Sequence, residues 1–63
     1  MKPVYEGLLI IGQYDPHSDF YAAHEQIWFG DYQKTFEQMT DKEFERLKEL
    51  GWFEDEDSWS VQT

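Results

Sequence analysis

The chain contains no cysteine, only two prolines, four glycines and five basic residues among its 63 positions. Without cysteine it can form neither a disulfide nor a cysteine-based zinc or iron–sulfur site, so its hydrophobic core must stabilise it unaided. The longest apolar run, Leu8 to Ile11, is too short to span a bilayer or to act as a signal-peptide core. These absences predict a single small domain, residues 1–63, that is soluble and cytoplasmic.

Acidic residues outnumber basic ones by 14 to 5, which gives a formal net charge of −9. Nucleic acids and anionic membranes carry the same sign, so direct binding to either is not expected. Short acidic chains are often disordered because they bury too little apolar surface. Here 19% of the residues are aromatic, and each ring can bury roughly 150–250 Å². The composition therefore favours a folded miniature domain with large core residues.

Two elements are predicted in the first half of the chain. The spacing of apolar residues over Val4 to Tyr14 favours a short helix, although Gly7 and Gly12 weaken it and a buried strand is the alternative. After a turn at residues 15–19, alternation over Phe20 to Phe29 predicts one strand. Glu25 falls on the apolar face of that strand, which indicates an edge, a bulge or a bend nearby. Residues 32–38 receive no assignment.

A helix over Asp41 to Leu50 is the most strongly specified element. Thr40 followed by Glu43 forms a capping box, in which each side chain accepts a hydrogen bond from the backbone of the other residue. Gly51 suits the left-handed position that ends a helix, and Trp52 can then fold back on the last turn in a Schellman arrangement.

The last six residues alternate between polar and apolar, which predicts a C-terminal strand over 58–63. Trp52 and Phe53 are candidates for the other arm of a hairpin whose turn is the acidic run 54–57. Together these elements predict an α+β fold in the order helix–strand–helix–strand. Its sheet would have two or three antiparallel strands packed on two helices.

Two short patterns resemble chemical sites. Asp15, His17 and Asp19 alternate and are followed by His24, so carboxylates and imidazoles lie at a spacing that can hold a divalent metal. The same residue types are typical of a turn, and no established metal-binding loop is matched. His24 and Glu25 form an acid–base pair, but no nucleophile or oxyanion donor accompanies them. We therefore expect no enzyme, no catalytic residue, no metal site and no cofactor.

Four consecutive acids have no obvious structural need, because a hairpin turn prefers Asn-Gly or Asp-Gly. They are either a solvated loop that maintains solubility or a contact surface for a partner protein with a basic surface. Aromatic residues near the run would anchor such a contact, since binding hot spots are rich in Trp and Tyr. The candidate partner-binding residues are Glu54, Asp55, Glu56, Asp57, Trp59 and Trp28.

Several segments together resemble a group of very small acidic proteins encoded by bacteriophages and prophages. They are Tyr5-Glu6-Gly7-Leu8, Tyr14-Asp15, Ala22 to Gly30, Thr40 to Glu43, Leu47 to Trp52 and Asp57 to Val61. In the group they correspond to an early helix, a strand with an Ala-Glu-His-Asp-like segment, a Leu-Gly-Trp helix end and a closing Trp-containing strand. This chain departs from the pattern at Ala23, where an acid is expected. The resemblance carries no catalytic residue with it.

The resemblance implies a setting in which small proteins act by binding host proteins. We therefore expect a non-enzymatic phage or prophage accessory protein that inhibits a host nucleic-acid-handling or defence protein, as anti-restriction and anti-CRISPR proteins do. Its carboxylates would take the place of phosphates in a basic groove of the partner, a mode of inhibition called DNA mimicry. Two alternatives stay open, namely a structural module that forms a homodimer through exposed aromatics, and a weak metal-binding protein.

Overall fold

The computed structural model describes residues 2–63, and within them the chain forms three helices and a four-stranded antiparallel sheet. In chain order the elements are α1 (Lys2–Gly12), β1 (Phe20–Ala23), β2 (Gln26–Asp31), α2 (Tyr32–Gln38), α3 (Asp41–Glu49), β3 (Phe53–Asp55) and β4 (Ser58–Gln62). The predicted α+β class is confirmed. The sheet has four strands rather than two or three, and α2 is a helix in a segment, residues 32–38, that the sequence analysis leaves unassigned.

The predicted first helix is confirmed as α1. Val4 and Ile11 lie on one face of it and are buried, with Leu8 packed against the same core. Gly7 also lies on this face, directly beneath the indole ring of Trp52. The glycine that weakens the helix locally therefore provides the space into which a core tryptophan packs.

The single strand predicted over Phe20 to Phe29 is wrong, because the chain reverses within it. β1 and β2 form a hairpin whose turn is His24 and Glu25, and Phe20 pairs with Phe29. Continuing the strand would have placed the Glu25 carboxylate among apolar side chains at a high desolvation cost. In the turn, both His24 and Glu25 are exposed.

Both ends of α3 follow the prediction. The Thr40 side chain accepts a hydrogen bond from the backbone N–H of Glu43, and the Glu43 side chain accepts one from the backbone N–H of Thr40. At the other end, the Trp52 N–H donates to the Leu47 carbonyl (2.9 Å) and the Gly51 N–H to the Lys48 carbonyl (3.0 Å). These two bonds define a Schellman motif.

The C-terminal hairpin is confirmed, with a shift in its turn. β3 extends into the acidic run, so the turn consists of Glu56 and Asp57 alone. β4 does not lie at the edge of the sheet, because the strand order is β1-β2-β4-β3. The final strand is therefore central, between β2 and β3.

The helices pack on one face of the sheet and enclose a core that includes two tryptophans. The buried apolar residues are Val4, Ile11, Met39, Leu47, Trp52, Trp59 and Val61. The indole N–H of Trp59 donates to the Thr35 hydroxyl at 2.8 Å, and that hydroxyl donates to the Asp31 carbonyl at 2.8 Å. The buried polar atoms of this layer are thus paired, as a stable core requires.

A β-bulge near the end of β2 brings that strand against α1. The pairing with β4 shifts between Phe29 and Asp31, and the intervening Gly30 has φ +83°. A side chain on Gly30 would overlap Ile11. Glycine is therefore required here both for the left-handed backbone and for the close approach of α1.

Tyr14, just beyond the end of α1, is joined to α3, because its hydroxyl donates a hydrogen bond to the Glu43 carboxylate. This bond lowers the pKa of Glu43, as does the backbone N–H of Thr40, and it raises the pKa of Tyr14. The Glu43 contribution is present above its ordinary pKa and is lost as pH falls through the lowered value. The Tyr14 contribution is present at pH values below the ordinary tyrosine pKa of 10.0, and it is lost as pH rises through the raised pKa.

We therefore expect Tyr14→Phe to lower the free energy of unfolding at neutral pH and to flatten its pH dependence at both extremes. Urea unfolding of the two proteins across acid, neutral and alkaline pH measures this. Tyr5→Phe is the matched control, because Tyr5 is an exposed residue of α1. Parallel pH profiles for Tyr14→Phe and the unmodified protein would contradict the assignment.

Candidate interaction surface

The face of the sheet opposite the helices is open and carries a row of residues that crosses all four strands. Tyr21 pairs with Trp28, Trp28 with Ser60, and Ser60 with Phe53. Paired residues of antiparallel strands point to the same side. Tyr21 is 61% exposed and Phe53 40% exposed, whereas Trp28 is half-buried. The aromatic residues outside the core are thus partly gathered on one surface.

A hydrogen bond to Asp55 holds Trp28 in place on this open face. Its indole N–H donates to the Asp55 carboxylate at 3.0 Å, across the intervening strand β4. The Gln26 amide donates to the same Asp55 oxygen at 3.1 Å and to the Ser60 hydroxyl at 2.7 Å. Asp55 is therefore an organising residue of the surface, because its carboxylate joins β3 to β2.

The ring of Tyr21 lies beside that of Trp28, with centroids 5.3 Å apart and planes inclined by 50°. Tilted aromatic pairs at this separation are attractive beyond their buried area. The hydrogen bond to Asp55 fixes the orientation of the Trp28 indole, and Tyr21 packs against that indole. The pair presents aromatic surface near the β1 edge of the sheet.

The turn of the acidic hairpin is tightly organised. Glu56 and Asp57 have φ of 53° and 64°, so both central residues are left-handed, as a type I′ turn requires. The Glu54 carboxylate accepts a hydrogen bond from the Asp57 N–H at 2.8 Å, and the Asp57 carbonyl accepts one from the Tyr32 N–H at 2.9 Å. Glu56 and Asp57 are both exposed.

A cleft of about 570 Å³ lies where the aromatic pair meets this turn. Two serine hydroxyl groups of the cleft make hydrogen bonds to the backbone of Gly30. Ser18 accepts one from the Gly30 N–H and Ser58 donates one to the Gly30 carbonyl, each at 2.9 Å. The residues lining the cleft are Ser18, Asp19, Tyr21, Trp28, Gly30, Asp31, Glu56, Asp57 and Ser58. Four of them are acidic and none is basic, so the cleft favours a positively charged group.

The basic residues of the chain are confined to the helical layer, which also holds six of the 14 acids. All five basic residues lie within the ranges of the helices, at Lys2, Lys34, Lys42, Arg46 and Lys48. Arg46 makes a two-pronged contact with Glu6 (2.6 and 3.0 Å) that raises the pKa of its guanidinium, and Lys34 contacts Asp15 at 3.3 Å. The strands and loops hold the other eight acids and no basic residue. The sheet and its loops consequently carry the excess negative charge and form the negative pole of the molecule.

The structure separates the predicted partner-binding residues into three groups. Glu56 and Asp57 line the cleft with Trp28, while Glu54 and Asp55 shape the turn and hold the aromatic face. Trp59 is only 1% exposed, so it is a core residue and not a surface anchor. Its side chain faces the helices because alternation along β4 places its neighbour Ser60 on the open face.

Sequence reasoning missed Asp19, Tyr21 and Asp31 as members of the surface. Asp19 precedes β1 and Asp31 ends β2, so the two lie at the same end of the hairpin. Recognising the turn at residues 24–25 would have placed them together. These residues are far along the chain from residues 56–57, so no local sequence pattern indicates that the two groups share a surface.

The residues of the hypothetical metal site are not assembled into one. Asp15 is 8% exposed, and its carboxylate accepts hydrogen bonds from the Asp31 N–H (3.0 Å) and from Lys34 (3.3 Å). Across residues 2–63, no three acidic or histidine side chains are grouped so that they can hold a metal ion. Asp15 instead joins the turn at residues 15–19 to the start of α2.

Within the described part of the chain, no helix has the length and apolar character needed to cross a membrane. Comparisons with protein-family models, curated proteins and solved structures find no match to this chain.

Proposed function

We propose that this protein is a non-enzymatic accessory protein that binds a partner with a basic surface through the acidic cleft and its aromatic pair. The observation that supports this is the segregation of charge, because four acids and no base surround Tyr21 and Trp28. A cationic side chain gains there from both the carboxylates and the aromatic faces. Long-range attraction to the negative pole would also accelerate association.

The partner class that we propose is a bacterial protein that handles nucleic acid, including restriction and CRISPR enzymes. Such proteins present basic grooves to phosphates. The carboxylates of Glu56 and Asp57 are exposed on a turn whose backbone is held by two hydrogen bonds, so they can occupy phosphate positions with little loss of backbone freedom. The resemblance to phage and prophage proteins is consistent with an inhibitor acting in the host cytoplasm.

The turn itself offers a variant that removes charge without harming the fold. Glu56→Asn with Asp57→Gly deletes two carboxylates and installs the preferred residues of a type I′ turn. Left-handed geometry costs an ordinary residue about 1–2 kcal/mol. We therefore expect the double variant to raise the free energy of unfolding by about 1–2 kcal/mol, measured by urea denaturation.

The same double variant should weaken binding to the partner by about 5- to 30-fold, the effect of losing two exposed charge contacts of roughly 0.5–1 kcal/mol each. The matched control is Glu37→Gln with Glu45→Gln, which makes the same change in net charge on α2 and α3. Both residues are exposed and lie outside the cleft. The control should bind as the unmodified protein does.

The experiment begins with immobilised protein in the unmodified, variant and control forms, each incubated with bacterial lysate and analysed by mass spectrometry. A captured protein is then purified, and its affinity is measured at about 50 and 300 mM NaCl, a range that shortens the screening length. Duplex DNA should compete, and the captured protein's activity should be inhibited. Equal affinity of all three forms, unaffected by salt, would overturn the proposal.

Sedimentation of the protein alone tests the homodimer hypothesis. A dimer that persists at low micromolar concentration and buries Tyr21 or Phe53 would favour a structural role for the open face. A monomer leaves that face available to a different protein.

A further inference from the structure

The two edges of the sheet are protected to different degrees. β3 forms one edge, and it is only three residues long with acids at two of its positions, Glu54 and Asp55. β1 forms the other edge with the sequence Phe-Tyr-Ala-Ala, and all four residues are exposed. Edge strands normally avoid association through charges, proline or bulges, and β1 has none of these within its length. Its outer backbone groups are thus open to pairing.

We propose that β1 accepts an extended, lysine- or arginine-containing segment of the partner protein as a fifth strand of the sheet. This inference rests on the proposed function and specifies how the partner is bound. Backbone pairing along β1 would supply affinity, as in other complexes formed by strand addition. Side chains on alternate positions of the added strand would supply specificity.

The position of Tyr21 defines which side chains the added segment must carry. Neighbouring strands are about 4.8 Å apart, so a residue paired with Tyr21 places its Cβ about 5 Å away on the open face. A lysine or arginine there can reach the Tyr21 ring and the Asp19 carboxylate, both of which line the cleft. Residues facing Phe20 and Ala22, on the helix side, would be small or apolar.

Charge also decides between a foreign segment and a second copy of this chain. Asp19 precedes β1 and Glu25 follows Ala23 closely, so each end of the strand is flanked by an acid. Pairing two β1 strands would bring together two molecules of net charge −9, each with its acids near the shared edge. A basic segment replaces this repulsion with attraction.

The probe that tests this inference is an acetylated and amidated peptide of about seven residues, a typical strand length, in which lysine alternates with valine. We expect the amides of β1 to shift in ¹H–¹⁵N spectra and to gain at least about tenfold protection from hydrogen exchange. Tyr21→Ser should weaken binding by about 3- to 30-fold, as expected for loss of a cation–π contact. Phe36→Ser, an exposed aromatic on α2, is the control.

N-methylation of the peptide gives a readout specific to strand addition. Only alternate residues of an added strand point their N–H groups at β1. Methylating the backbone nitrogens of the lysines and methylating those of the valines should therefore have opposite results. One pattern should abolish binding, and the other should leave it nearly unchanged. The protein is unmodified in both measurements, so its folding does not enter the comparison.

Three results would overturn the inference. They are no binding at about 1 mM peptide, equal effects of the two methylation patterns, or a homodimer paired through β1 in sedimentation and amide exchange. If the peptide shifted only residues of the cleft and its binding still fell with Glu56→Asn and Asp57→Gly, the proposed function would stand and strand addition would fail. If binding were insensitive to those substitutions and to salt, the proposed function would fail as well.

Discussion

Gly7→Ala should destabilise the protein by about 1–5 kcal/mol, although alanine is the better helix former. A Cβ at this position would overlap Nε1 and Cε2 of the Trp52 indole. Trp52 is buried, and its indole N–H donates to the Pro3 carbonyl at 3.0 Å. Overpacking costs about 1–3 kcal/mol and the displaced hydrogen bond roughly 1–3 more, against about 1 kcal/mol gained from helix propensity.

That loss is large for this chain, since a domain of its size has a stability of only about 3–9 kcal/mol. The variant should unfold at much lower urea concentration and should show altered near-ultraviolet circular dichroism from Trp52. Gly12→Ala is the matched control in the same helix, because its Cβ would lie 4.0 Å from Phe29, an ordinary contact. If both substitutions stabilised the protein equally, the packing of Trp52 on Gly7 would be refuted.

Gly30→Ala should cost a similar amount, about 2–5 kcal/mol, for two separable reasons. The residue has φ +83°, which costs an ordinary residue about 1–2 kcal/mol, and its new Cβ would overlap Cγ2 of the fully buried Ile11. The midpoint and slope of urea unfolding measure the loss. The bulge also positions Asp31, so the cleft should be disturbed along with the core.

Gly51→Ala separates the two causes. Gly51 has φ +94°, but nothing lies within 4 Å of a Cβ built there, so its substitution should cost only the backbone part, about 1–2 kcal/mol. A cycle of Gly30→Ala with Ile11→Ala should then reveal a coupling of about 1 kcal/mol or more, because removing Cγ2 relieves the overlap. Equal costs for Gly30→Ala and Gly51→Ala, with no coupling to Ile11, would contradict this account.

Some residues of the proposed functional surface can be predicted from the sequence, and others cannot. Glu56, Asp57 and Trp28 could be selected from sequence, because an acidic run and a tryptophan in an alternating segment are visible locally. Tyr21 and Asp19 become candidates only when β1 and β2 are recognised as separate strands. The orientation of Trp59 depends on which face of β4 the helices cover, and the structure buries it in the core, where it cannot anchor a partner.

The sequence by itself determined the elements whose contacts are local. The capping box of Thr40 and Glu43 and the Schellman motif at Gly51 join residues three to five positions apart, so they follow from residue types alone. The alternation at 58–63 predicts a strand for the same reason. Composition likewise determined the absence of cysteine chemistry and the negative charge.

Only the tertiary structure decided which segments meet. The pairing of β4 with β2, the Trp28–Asp55 hydrogen bond and the cleft all join residues more than 25 positions apart. Such contacts depend on strand register, and a shift of one residue moves every side chain to the other face. The packing of Trp52 on Gly7 and of Ile11 on Gly30 restricts how α1 can lie on the sheet. Steric fit between distant segments thus brought an acidic loop and a tyrosine from another hairpin to the same cleft.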